Sequence, residues 1–313
     1  MSPMEQTRFA YGEALLELGQ ERSDIVVLDA DLYNSTRTVL FGKAFPERFL
    51  DLGIAEADMV STGAGLAASG LVAFCNSFAM FLTGRCYDQI RIQVAYPSLN
   101  VKLAGSSAGL TQGPDGASHQ SLEDVALMRI LPHMTVLVPA DDVETKQATK
   151  AAAAHQGPVY LRLGRYPTPT ISPEGYQFQI GKGVELRPGR DIAIIACGIM
   201  VAKALEAAEL LAKQGLQARV INMASVKPLD RALVEQAGRE AKLVVTAEEH
   251  SIIGGLGSAV AEVLAEGNYA PLWRIGTRDE FGQSASADEL LDHYGLTGPK
   301  VAAQIAAAWA KLG

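Results

Sequence analysis

The sequence predicts an α/β protein built from two parallel-sheet domains. Three observations carry that prediction. Short, apolar, β-rich runs alternate with Ala-, Leu- and Glu-rich stretches of helical spacing. The runs are near-continuously apolar, as strands covered on both faces are. The chain has 313 residues, a domain typically takes about 100–200, and the alternation is interrupted once.

The first unit is expected over residues 1–170. Its strands read as Ile25–Asp31, Phe49–Gly53, Leu71–Ser77, Val101–Ser106, Thr135–Ala140 and Val159–Gly164. Helical spacing marks Glu56–Ala68 and Val143–Ala154. Prolines and glycines crowd the stretch from Tyr166 to Arg190, where turns and a short hairpin are expected. Residues 171–190 are therefore read as a linker. The second unit, 191–313, opens on a strand, Asp191–Gly198. A helix over Val201–Lys213 is closed by Gly215, and a strand follows at Ala218–Ser225. Pro228 then opens a helix for which Asp230 is the N-cap. Strands at Lys242–His250 and Pro271–Gly276 and a helix at Val301–Lys311 complete the unit.

Composition narrows the function classes. With 48% hydrophobic and 20% charged residues the chain can bury a sizeable core. A net charge of -8 argues against nucleic acid, which needs clustered Lys and Arg. No apolar stretch is long enough to span a bilayer and no signal-like leader opens the chain, so a cytoplasmic location is expected. Cys75, Cys86 and Cys197 form no C-x-x-C pair and read as buried, reduced thiols. The five histidines lack zinc-ligand spacing, so no metal held by this chain is expected.

Open parallel sheets bind ligands at the carboxyl ends of their strands. Three such ends stand out. GIAEADM (Gly53–Met59) puts Glu56 at a helix start, either as a mere complement to the helix dipole or as a functional acid. SAGLTQGPDGASHQ (Ser107–Gln120) carries Asp115 and His119 in a segment too rich in Gly and Pro for a regular helix. DLYNST (Asp31–Thr36) ends the first strand. GSSAG (Gly105–Gly109) fits a serine-nucleophile elbow, but Gly109, Gly113 and Pro114 oppose the helix which that motif requires. GGLG (Gly254–Gly257) lacks the third glycine of a dinucleotide loop, because Val260 stands there.

Taken in order, GIAEADM, SFAMF, GLTQGPDGASHQ and LMRILPHMTVLVPAD resemble the pyrimidine-binding domain of transketolases. The tail from about Asp191 resembles the transketolase C-terminal domain, so the likeness covers nearly the whole chain. It implies a thiamine-diphosphate enzyme that transfers a two-carbon ketol unit from a ketose to an aldose. The synthase that makes deoxyxylulose phosphate and the β subunits of ketoacid dehydrogenases share parts of the pattern, and remain alternatives. A non-catalytic scaffold is a third reading, and it predicts that Glu56, Asp115 and His119 tolerate substitution together.

The family holds the diphosphate through a divalent cation, usually Mg2+, bound by a G-D-G stretch. No GDG occurs in this chain. The resemblance therefore implies a partner, the N-terminal-half subunit carrying the diphosphate and metal site, in a heterotetramer with two copies of each chain. Glu56 matches the glutamate whose carboxyl hydrogen-bonds the pyrimidine ring and promotes proton loss from the thiazolium carbon. Phe78 and Phe81 match the aromatic wall for that ring, with plain core packing as the lesser alternative, and Gly84 stands where a tyrosine is common. Asp115 and His119 match residues that touch the ketose hydroxyls. Arg8, Ser35 and Arg165 match ligands of the sugar's anionic end, where arginine's planar fork suits a tetrahedral anion. Ser107 stands where the family has a histidine, which leaves both a phosphate and a sulfonate open.

Overall fold

The computed structural model describes residues 4–312 as two α/β units. Fourteen strands among the described residues form three sheets. In the first unit they are β1 (Met4–Gln6), β2 (Ile25–Asp29), β3 (Phe49–Asp51), β4 (Val72–Phe78), β5 (Val101–Ser106), β6 (Thr135–Leu137), β7 (Val159–Arg162) and β8 (Pro167–Pro169). They are followed by β9 (Val184–Arg187), β10 (Ile192–Ala196), β11 (Ala218–Asn222), β12 (Ser225–Lys227), β13 (Leu243–Ser251) and β14 (Leu272–Thr277).

The first sheet runs β12-β6-β7-β5-β4-β2-β3 and is parallel except at β12. Every residue of β2, β4, β5, β6 and β7 is buried, which is why the sequence reads as apolar runs there. The second sheet runs β14-β13-β10-β11-β9 and is parallel except at β9. Its middle strand β10 is wholly buried.

Two elements depart from the expected organisation. Residues 171–190 contain β9, which pairs with β11 and belongs to the second sheet. The expected strand Ala218–Ser225 divides: β11 stays in the second sheet, while β12 crosses to pair antiparallel with β6 in the first. Strand ends also shorten. Asp31 and Gly53 take left-handed backbone (φ 61° and 70°), so β2 and β3 stop before them. The helix starting at Asp142 is capped by Asp141, and Asp230 caps Arg231–Glu240, its side chain accepting from Leu233 N. No described helix is long and apolar enough to cross a membrane.

Candidate active site

Glu56 opens the helix Glu56–Ala68 one turn beyond β3, and its side chain is only 4% exposed. The carboxylate accepts from the Arg85 guanidinium, at 3.1 and 3.3 Å to its two oxygens. Arg85 ends a stretch of π-type winding, Phe81–Arg85, a form that inserts an extra residue per turn. That winding also lays the Arg85 guanidinium 4.1 Å from the Phe81 ring centroid. Phe81 in turn stacks on Phe78, centroids 5.9 Å apart and planes 24° apart. A flat aromatic pair beside a buried carboxylate suits a protonatable heteroaromatic ring.

The loop after β5 brings His119 to the same wall. Its ring meets Phe81 at 5.0 Å and Phe78 at 6.3 Å, edge-on to both. Asp115 lies on the same loop, exposed. It accepts from Gln112 Nε2 at 2.5 Å and faces Arg165 at 3.5 Å. The loop's shape comes from tight winding over Leu110–Asp115, broken at Gly113. Gln120 pins it from beneath, donating to the carbonyls of Leu110, Gly113 and Gln283. From the second unit, Glu249 accepts from Thr111 N at 2.6 Å. Burial pushes the Glu249 carboxyl up to about 7, against the opposing pull of Arg162 and the Thr111 hydrogen bonds.

The arginines converge at the other end. β1 pairs with β8, and Gly164 N donates to Thr7 Oγ1 at 2.8 Å, so Arg8 and Arg165 become neighbours. Arg8 donates to the Ser35 carbonyl at 3.0 Å. The segment carrying Ser35 is held by Asp29, which accepts from Leu32 N, Thr36 Oγ1 and Thr38 Oγ1 at 2.7–2.8 Å. Burial raises the Asp29 carboxyl to about 6, partly offset by these donors. Arg8 is pushed down to about 10, first by burial and then by the charges of Arg165 and Arg37.

Contacts thus join Glu56, Arg85, Phe81, Phe78 and His119 into one group, and Asp115 with Arg165, and Arg8 with Ser35, into others; the loop Ser107–Gln120 carries both His119 and Asp115, and the charge of Arg165 acts on Arg8. Ser107 is in none of them: the residue is fully buried, in left-handed backbone (φ 54°), and its Oγ has no partner among the described residues. No regular helix follows it, so no nucleophile elbow forms. At GGLG, the amides of Leu256 and Gly257 already donate to Glu248 at 2.7 and 2.8 Å, which occupies the helix N-terminus that a phosphate would need. Arg85, Arg37 and Gln112 join these groups without having stood out in the sequence. The signal for Arg85 was Gly84 in place of an aromatic residue, with a cation next to it. Among the described residues no three His, Cys, Asp or Glu side chains are placed to hold a metal ion. A cleft of about 400 Å³ runs beside the loop between Ser118 and Phe281, but neither Glu56 nor the arginines line it.

Two family models match the chain. Residues 4–169 match the transketolase pyrimidine binding domain, and residues 181–301 match the transketolase C-terminal domain. A solved structure described as "Split gene transketolase, inactive beta4 tetramer" superposes with a TM-score of 0.91 at 51% identity, covering 97% of this chain and 98% of that one. The 6-deoxy-6-sulfo-D-fructose transketolase subunit SqwH of a Clostridium species is 46% identical over 94% of this chain and 91% of its own. An apulose-4-phosphate transketolase subunit of Phocaeicola vulgatus is 38% identical over 92% of this chain and 93% of its own.

Proposed function

Because the chain belongs to the transketolase family, we propose that it is the subunit of a two-subunit transketolase that supplies the pyrimidine side of the thiamine diphosphate site. The enzyme transfers a two-carbon ketol unit from a ketose to an aldose. When bound, thiamine diphosphate supplies the carbon nucleophile. The observation that carries the reading is Glu56, a carboxyl 4% exposed beside the Phe78–Phe81 stack. In this reading Glu56 hydrogen-bonds the pyrimidine ring and tunes its basicity, and the two rings hold it flat. His119 and Asp115 face the ketose hydroxyls and assist proton transfer there. Arg8, Arg165 and the Ser35 segment hold the sugar's anionic end. Ser107 is given no contact, because its hydroxyl is buried.

A partner subunit supplies the diphosphate site and its Mg2+ or other divalent cation. Two features support that. The chain has no G-D-G stretch of its own for the diphosphate's cation, and Ile54, two residues before Glu56, is 77% exposed. A complex with two copies of each chain would supply the first and cover the second. Relatives that match over nearly the full length of both chains are transketolase subunits, which favours ketol transfer over deoxyxylulose phosphate synthesis.

The test is reconstitution. This chain, the N-terminal-half subunit, thiamine diphosphate and Mg2+ together should turn over a ketose donor and an aldose acceptor, and neither chain alone should. Glu56→Ala should lower kcat about 10²–10⁴-fold, the usual weight of one positioned acid–base group. Full activity in that variant removes Glu56 from the mechanism, and turnover of pyruvate in place of ketoses points to the synthase reaction.

A further inference from the structure

Arg37 lies two residues beyond Ser35, and the proposed reaction gives it no role. It follows the short helix Tyr33–Thr36 in left-handed backbone (φ 70°), a region that a branched or bulky side chain rarely adopts. Gly12 makes room for it, since a Cβ there would sit 2.7 Å from Arg37 Cβ. Gly12 thus accommodates the backbone and Cβ of position 37 in that conformation. The Arg37 guanidinium lies 4.4 Å from the Phe9 ring centroid, and that of Arg8 lies 5.3 Å from the same ring. Phe9 therefore gathers two like charges, with Arg165 close enough to act on Arg8 as well.

No carboxylate answers Arg37. Among the described residues it forms no ion pair, and its Nε is buried without a hydrogen-bond partner. A buried charged donor left unpaired is costly, so the position makes sense when an acceptor arrives. Arg8 points to a backbone carbonyl and a Gln side chain, and only Arg165 meets a carboxylate, Asp115 at 3.5 Å. Of the three guanidiniums only that of Arg165 is in ion-pair contact with a carboxylate among the described residues.

We propose that Arg37 is a third guanidinium of the sugar's anion site, and that it sets the site for a doubly charged phosphate monoester over a singly charged sulfonate. This rests on the transketolase reading for the sugar, but not for the anion. A phosphate monoester carries about −1.5 to −2 charge near neutral pH and offers three acceptor oxygens. A sulfonate carries one negative charge and leaves part of the cluster uncompensated.

The experiment has two arms. In the first, inorganic phosphate and methanesulfonate are titrated separately against the full chain, followed by thermal unfolding. Phosphate should stabilise the wild type more than methanesulfonate does, and Arg37→Gln should abolish the difference. In the second, the reconstituted complex is assayed with a ketose phosphate and with the same ketose lacking its phosphate. Arg37→Gln should raise KM for the phosphorylated donor roughly tenfold or more, the weight of one charge-assisted hydrogen bond, with kcat and the uncharged donor little affected. Arg37→Lys keeps the charge and the stem and should lie between the two; it also carries the test if Arg37→Gln does not fold. Unchanged KM for the ketose phosphate in both variants, or a wild type that prefers methanesulfonate, overturns the proposal. If no ketose is turned over while phosphate still discriminates wild type from variant, the reaction assignment fails and the anion site stands.

Discussion

Glu56 has two claims on it. The Arg85 guanidinium holds both its oxygens in the isolated chain, while the proposed chemistry needs that carboxyl on a pyrimidine nitrogen. Arg85 is 53% exposed and Glu56 is 4% exposed, so the pair is screened on one side and worth about 1 kcal/mol at most. Competition of that size predicts a modest effect. Arg85→Gln should tighten thiamine diphosphate binding to the reconstituted complex by up to about fivefold, read from activity against cofactor concentration. Weaker binding would instead make Arg85 part of the ring's wall, through the contact it already makes with Phe81. Glu56 was legible in the sequence through GIAEADM and its company on neighbouring strand ends, since a carboxylate at a helix start is by itself an ordinary complement to the helix dipole. Arg37 was not, because what makes it special is a backbone angle and a glycine on a distant helix.

The loop between β5 and the helix Asp124–Arg129 is the element on which the site depends most. It presents Asp115 and His119, yet it has no regular ladder of its own and is held from within by Gln120 and from the second unit by Glu249. Gly109 is where that hold is tightest: its φ is 82°, and an added Cβ would press into the Glu249 carboxylate. Gly109→Ala should cost about 2–4 kcal/mol, combining left-handed strain and overpacking, measured by urea unfolding. The same variant should raise KM for the ketose, because the loop must shift. The sequence showed that this segment is no regular helix, since Gly113 and Pro114 oppose one, and only short 3-10 winding broken at Gly113 forms there. The buried strands were equally plain, β2 being apolar up to Asp29. What it did not show was where Phe81–Arg85 gains its extra residue, or that Ser225–Lys227 leaves one sheet for another. Neither alters the hydrophobic pattern; both depend on what the segment packs against.

At the scale of the whole molecule, a buried charged cluster ties the two units together. Arg162 on β7 donates to Asp124 at 2.7 Å and to the Glu249 carbonyl on β13 at 2.9 Å. Asp124 also accepts from Tyr160, and Arg162 holds its carboxyl below the ordinary value despite burial. Glu249 goes the other way, up to about 7. The sign of its effect follows. A carboxyl whose folded value is raised contributes most below its unfolded value, and that contribution is lost as pH rises through about 7. The stability of the wild type relative to Glu249→Gln should therefore fall between about pH 5 and about pH 8, compared by thermal midpoints at each pH. A flat difference would mean that water or movement relieves the buried carboxyl.

Strand β12 adds a different kind of tie. It belongs by sequence to the second unit but supplies the edge of the first sheet, and its last residue, Lys227, donates to the carbonyls of Arg129 and Leu131. Two family models fall neatly on either side of residue 180, which invites the view of interchangeable modules. Heredity is more restricted than that. A recombination event within residues 171–190 would deliver a foreign strand to border β6, and every new pairing would have to match its register, Ser225 on Leu137 and Lys227 on Val136. An exchange of halves would therefore keep the first sheet intact only where the incoming strand preserves that register.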